Sequence, residues 1–90
     1  MIYRFIFLLP KNWKISLPVG VRVSLYPLQK TEIKKTSGLK YPLKKLTLEQ
    51  GKRVSISNES VENSITINQK NLGLAGILPQ EHYQKVIKSL

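Results

Sequence analysis

The sequence predicts a β-rich α+β fold: a small antiparallel sheet or sandwich of about six strands, closed by a carboxyl-terminal amphipathic helix. Three observations carry this. Ile15, Leu17, Val19, Val21, Val23 and Leu25 occupy every odd position of one stretch. That is the period-two signature of strands with one dry face and one wet face. Shorter runs of the same kind recur at 39–43, 54–56 and 65–67. Only the last dozen residues change period, with Tyr83, Val86, Ile87 and Leu90 spaced as one helical stripe.

The elements follow in order. Residues 2–9, IYRFIFLL, are nearly all apolar and read as a strand buried on both faces. A targeting segment is the minority reading, because Arg4 interrupts the run and Pro10, Lys11 and Asn12 replace a cleavage site. The run is also far short of the roughly 20 residues that span a bilayer, so no transmembrane segment is expected. Pro10 to Asn12 is a turn. Pro18 and Gly20 split or bend the long alternating stretch, since proline removes a ladder donor and glycine weakens a strand. Trp13 is expected in the core.

A short strand at 32–35 leads to a turn at Thr36, Ser37 and Gly38. Leu39, Tyr41 and Leu43 alternate, and parity then shifts across Lys44 and Lys45 to Leu46 and Leu48. Such a shift predicts a bulge or bend. Gln50 and Gly51 form a tight turn into a strand with Val54 and Ile56 inward. Asn58 to Asn63 is a polar loop, and Ile65 and Ile67 mark a further strand. Residues 71–78, NLGLAGIL, read as a buried loop or close backbone approach. Pro79 opens the helix, with Glu81 in its first turn and Lys85 and Lys88 towards its end.

Ninety residues allow one domain, 1–90. The net charge is +10, the five acids are all glutamate, and lysine outnumbers arginine twelve to three. A surplus of that size points to a polyanion, an anionic membrane surface or an acidic protein. Eight of the fifteen cations fall between residues 30 and 53, interleaved with apolar residues. That arrangement makes a rigid cationic surface rather than a disordered tail. Lysine acts as a point charge, so backbone and shape contacts are expected rather than base reading.

Chemistry is sparse. With no cysteine there are no disulfides, no thiol catalysis and none of the common zinc sites. The single His82 has no aspartate to orient it and reads as a surface residue. Glu59 and Glu62 lie in a polar loop, with nothing apolar to separate their pKa values. Ser55, Ser57, Ser60 and Ser64 read as the wet sides of strands. No catalytic residue, metal ligand or cofactor is expected. The predicted RNA-binding set is Lys34, Lys35, Lys40, Lys44, Lys45, Lys52 and Arg53, and Tyr41 either stacks on a base or packs in the core.

Two stretches carry resemblances. LPKNWKISL and TEIKKTSGLKYPLKKLTLEQGKRVSIS resemble the amino-terminal half of the sixth protein of the large ribosomal subunit. Leu9 and Pro10 stand for that family's opening. Ile33, Lys34, Lys35, Gly38 and Leu39 stand for its turn, and Val54 and Ile56 for a later strand. The resemblance implies a small sheet with a helix docked on ribosomal RNA. YRFIFLLPKNWKISLP and ITINQKNLGLAGILPQEHYQKVIKSL look like the two edges of a β-sandwich module that follows transglutaminase-like domains in bacterial envelope proteins. Pro79, Glu81, Tyr83 and Leu90 match its ending.

The expectation is therefore a non-enzymatic structural RNA-binding protein, a ribosomal large-subunit component. Its partners would be ribosomal or other structured RNA and neighbouring ribosomal proteins, with no small-molecule substrate. It would sit in the ribosome of a mitochondrion, another organelle or a bacterial cytoplasm. The alternative is a β-sandwich interaction module of an envelope protein.

Overall fold

The computed structural model describes residues 3–49, 51 and 56–90. Eight strands are present among them: β1 (Arg4–Leu8), β2 (Asn12–Ser16), β3 (Arg22–Pro27), β4 (Thr31–Ser37), β5 (Lys44–Leu48), β6 (Ile56–Glu59), β7 (Ser64–Gln69) and β8 (Leu74–Pro79). A 3-10 turn, Gln80–His82, leads into helix α1, Tyr83–Ser89. The strands form two antiparallel four-stranded sheets, β1-β8-β3-β6 and β2-β7-β4-β5. The expected β-rich α+β fold is present, with eight strands where about six were expected.

Alternation places the core. Trp13 and Ile15 of β2, Ile33 of β4, Leu48 of β5 and Ile65 and Ile67 of β7 face inward from one sheet. Val23 and Leu25 of β3 and Leu74 and Leu78 of β8 meet them from the other, in one apolar cluster. Burial of side chains this size contributes roughly 1.5–3 kcal/mol each. The 15–25 stretch divides at Pro18 and Gly20, as its composition requires: Ile15 ends in one sheet, and Val23 and Leu25 in the other.

Several expectations are corrected. Strand β1 is an edge strand, not one buried on both faces: Phe5 and Phe7 turn half inward, while Ile6 and Leu8 are exposed. Its inner face needs only one partner layer, and hydrophobicity alone does not distinguish the two cases. The segment read as a buried loop contains β8, which pairs with both β1 and β3. Gly76 belongs there because a Cβ would lie 2.8 Å from Cζ of Phe7, whose ring covers the glycine. The helical stripe also faces outward more than expected. Val86 is buried, but Tyr83, Ile87 and Leu90 are exposed.

Helix α1 instead closes the side of the sandwich where edge strands β1 and β2 run. Tyr83 meets the edge of Phe5 at 5.2 Å, Phe5 lies 5.5 Å from Phe7, and Phe7 lies 5.4 Å from Trp13. His82, expected on the surface, is buried in this corner. Among the described residues, one buried side-chain acceptor is left over: Gln69 gives its amide N–H groups to the carbonyls of Leu9 and Pro10, while its Oε1 has no partner.

The pattern gives a direct stability test. Val23→Asp places a carboxylate in the core and is expected to cost several kcal/mol, whereas Arg22→Gln, on the outer face, costs no more than about 1. Urea unfolding of the two variants checks this, and equal losses would contradict the assigned faces.

Candidate functional site

The most elaborately built surface is the loop at 38–43, between β4 and β5. The sequence reads Leu39, Tyr41 and Leu43 as a strand, but only Leu39 makes a ladder contact, a lone bridge to Ser60. The loop is instead fastened across the end of the sandwich to β6, a strand of the other sheet. Val61 N–H donates to the Gly38 carbonyl and Lys40 N–H to that of Glu59, both at 2.8 Å.

Asn58 completes the attachment. Its Oδ1 accepts from Tyr41 N–H at 3.0 Å, and its Nδ2 donates to the Tyr41 carbonyl at 2.8 Å. The same Oδ1 accepts from Glu59 N–H. Ser60 works beside it: its Oγ accepts from Val21 N–H and donates to the Pro18 carbonyl. Asn58 and Ser60 are both buried, so unmade bonds there would carry the full desolvation penalty. Sequence reasoning placed both in a polar loop or on a wet strand side and missed their role. The signal lies in partners about 17 and 40 residues away, which no local pattern reveals.

Gly38 is forced by the same geometry. Its φ is +79°, and a Cβ would lie 2.3 Å from the Ser64 carbonyl oxygen. With both ends held, the loop lifts Tyr41 outward. Tyr41 is 56% exposed, with Lys40 Nζ 5.5 Å from its ring centroid. The result is a large aromatic face presented to solvent on a fixed backbone, a geometry able to stack on a flat ligand. The core-packing alternative for Tyr41 is excluded.

The predicted lysines divide. Lys34 and Lys35 in β4, Lys40 in the loop and Lys44 and Lys45 in β5 are all exposed. Lys35 and Lys44 stand directly opposite each other. Lys52 and Arg53 lie outside the described residues, as does Val54. The expected irregularity is present: Lys45 has φ +49°, and the register of β4 against β7 shifts between Ile33 and Lys35. Among the described residues, no group of three or more acidic or histidine side chains converges as metal ligands, and no helix is long and apolar enough to cross a membrane.

A family model described as "Thiamin pyrophosphokinase, vitamin B1 binding domain" matches residues 13–72. That span contains the whole 38–43 loop together with Asn58 and Ser60. The chain belongs to this family. It also shares the fold of the crystal structure of thiamin pyrophosphokinase from Geobacillus thermodenitrificans, with a TM-score of 0.66 and 24% identity over 84% of this chain. The match covers 35% of that enzyme's chain, so this sequence corresponds to about a third of it. No curated protein matches the chain.

These findings overturn the functional expectations. The chain is neither a ribosomal component nor the envelope module, and RNA and ribosomal proteins are not its indicated partners. The family is a domain of an enzyme and is named for a small molecule, against the expectation of a non-enzymatic protein with no small-molecule substrate. The ribosomal resemblance rested on short alternating strands, a glycine turn and dense lysine. Many small β-rich folds share these.

The attachment makes a measurable prediction. Asn58→Ala removes three hydrogen bonds and strands the Tyr41 N–H and carbonyl, so it is expected to cost about 2–4 kcal/mol. Gly38→Ala is expected to cost at least as much through backbone overlap. Chemical denaturation checks both, and a loss below about 0.5 kcal/mol for Asn58→Ala would show that the loop holds without its amide.

Proposed function

We propose that this chain is the thiamin-binding part of a thiamin pyrophosphokinase-type enzyme, and that thiamin stacks on Tyr41. The observation that carries the reading is the exposed Tyr41 ring on a backbone fixed by buried Asn58. Membership of a vitamin B1 binding family supports it, because the matched residues include the loop and its anchors.

The chemistry fits. Thiamin carries a flat aminopyrimidine and a cationic thiazolium, and both suit an aromatic face: the first by stacking, the second by cation–π attraction. Lys40 lies over one face of the ring, so the ligand takes the other. A fixed loop means that little ordering is charged against binding. The surplus of positive charge does not favour a cationic vitamin, which makes the aromatic contact the larger attractive term at this loop.

Titration of the chain with thiamin, followed by amide shifts of residues 38–43 in NMR, tests the reading. Saturable shifts centred on Tyr41 are expected. Tyr41→Ala should weaken binding about 5- to 30-fold, the equivalent of roughly 1–2 kcal/mol, and Tyr41→Phe should keep most of the affinity. Unchanged affinity in Tyr41→Ala, or no saturable response in the wild type, would refute the assignment.

A further inference from the structure

Three connections cross between the sheets at one end of the sandwich: 9–11 from β1 to β2, 28–30 from β3 to β4, and 70–73 from β7 to β8. Each has an exposed leucine in it or beside it. Leu8 is 66% exposed, Leu28 51% and Leu72 58%. Together they line one hollow of about 340 Å³, with the buried Leu9 and Leu74 also in its wall. Exposed leucines scattered singly are ordinary. Three on one hollow, from three separate connections, are not scattered.

Each connection also carries an exposed lysine within three residues of its leucine: Lys11, Lys30 and Lys70. Lys30 and Lys70 line the next depression along with Glu32, Thr47 and Asn71. Glu32, 3.9 Å from Lys70 Nζ, is the one carboxylate among the described residues that line either depression.

The three connections are bonded into one frame. Gln69 N–H donates to the Lys11 carbonyl at 2.8 Å, and its Nε2 donates to that of Pro10 at 3.0 Å. Leu28 N–H donates to the Gly73 carbonyl at 2.8 Å, and Gln29 Nε2 to that of Leu72 at 2.7 Å. Asn71 accepts from Glu32 N–H and donates to the Lys30 carbonyl. The leucines therefore stand on a fixed backbone, and a partner has little left to order there.

Leucine mixed with lysine selects the kind of partner. The cores of protein–protein interfaces are depleted of lysine. The headgroup boundary of a bilayer takes both residues: apolar tips enter it, while lysine stems lie along apolar surface and the ammonium groups stay at the headgroups. The net charge of +10 adds attraction to an anionic leaflet. We propose that this end of the sandwich docks on an anionic lipid bilayer, with Leu8, Leu28 and Leu72 entering the surface and Lys11, Lys30 and Lys70 meeting the headgroups. The protein then lies on the membrane and does not span it. Strand β4 runs from Thr31 at this end to Ser37 at the other, where the Tyr41 loop follows. Docking leaves that loop facing away, so the inference is independent of the thiamin reading.

The test sediments the chain with vesicles of equal parts phosphatidylserine and phosphatidylcholine at about 0.15 M ionic strength. Saturable binding is expected, and binding to phosphatidylcholine alone should be at least about tenfold weaker. Leu28→Ser with Leu72→Ser should weaken binding about tenfold or more, whereas Val19→Ser with Val61→Ser, which removes two exposed apolar residues from the far end, should change it less than about threefold. Lys30→Gln with Lys70→Gln should weaken it about fivefold or more, and Lys85→Gln with Lys88→Gln, an equal loss of charge on α1, less than about twofold. All eight positions are exposed, and circular dichroism checks that the variants remain folded.

A nitroxide-labelled lipid locates the contact. It should broaden the methyl signals of Leu8, Leu28 and Leu72 and spare those of Val19 and Val61. Equal weakening by the leucine and valine variants, or by the two lysine variants, would reduce binding to diffuse attraction and overturn the proposal. So would the absence of saturable binding, or broadening centred on the far end. Self-association of the wild-type chain in sedimentation velocity, lost in the leucine variant, would assign this end to a second copy and overturn it as well.

Discussion

The structure depends on one buried amide at the end of the sandwich. Asn58 takes both hydrogen-bonding groups of Tyr41 and so ties the β4–β5 loop of one sheet to an edge strand of the other. Sheets packed face to face leave open ends where loops must satisfy their own backbone groups. Here Asn58 and Ser60 do that from inside, where water does not compete. The same bonds that close the core set the position of the exposed ring, so stability and presentation of Tyr41 are one arrangement.

Period two was legible wherever a strand has one wet face. That fixed the inward residues of β2, β3 and β7 and the burial of Trp13, Val23, Leu25, Ile65 and Ile67. It failed for β8, whose neighbours lie on both edges and whose run of neutral residues shows no alternation. It failed in the other direction for β1, where Ile6 and Leu8 are apolar yet exposed. The helix was legible by spacing, but which part of its stripe is covered depends on Phe5, Trp13 and Ser89, all outside the helix or at its end. The site was barely legible, because Asn58 and Ser60 read as ordinary loop residues until their distant partners are known.

Charge misled for a related reason. Composition counts cations along the chain, whereas a ligand meets them in space. Lys34, Lys35, Lys44 and Lys45 lie along two neighbouring strands, with Lys35 against Lys44, and read as one strong surface. Lys14 is far in sequence from Lys85 and Lys88, yet the three line one open depression between β2 and α1. The first set follows from strand adjacency; the second is brought to one side of the fold where Trp13 of β2 bonds Ser89 of α1, 76 residues away.

The paired irregularity in β4 and β5 connects the lysines to the loop. A strand whose side chains alternate cannot place two successive residues outward without a break in its geometry. Lys34 and Lys35 are both exposed, and so are Lys44, which stands opposite Lys35, and the adjoining Lys45. In β4 the break is the register shift against β7; in β5 it is the left-handed conformation of Lys45. For a lysine that conformation costs of order 1 kcal/mol. Beyond it, Leu46 is half-buried and Leu48 is buried. Because both strands break at one level, their ladder keeps a single register from Thr31↔Leu48 to Lys35↔Lys44. The loop therefore departs from a regular pair, and Gly38 and Tyr41 reach β6 with their hydrogen-bonding groups aligned. The left-handed Lys45 and the shift in β4 thus lie between the core residues Leu46 and Leu48 and the anchored loop, while the ladder joining them stays in one register.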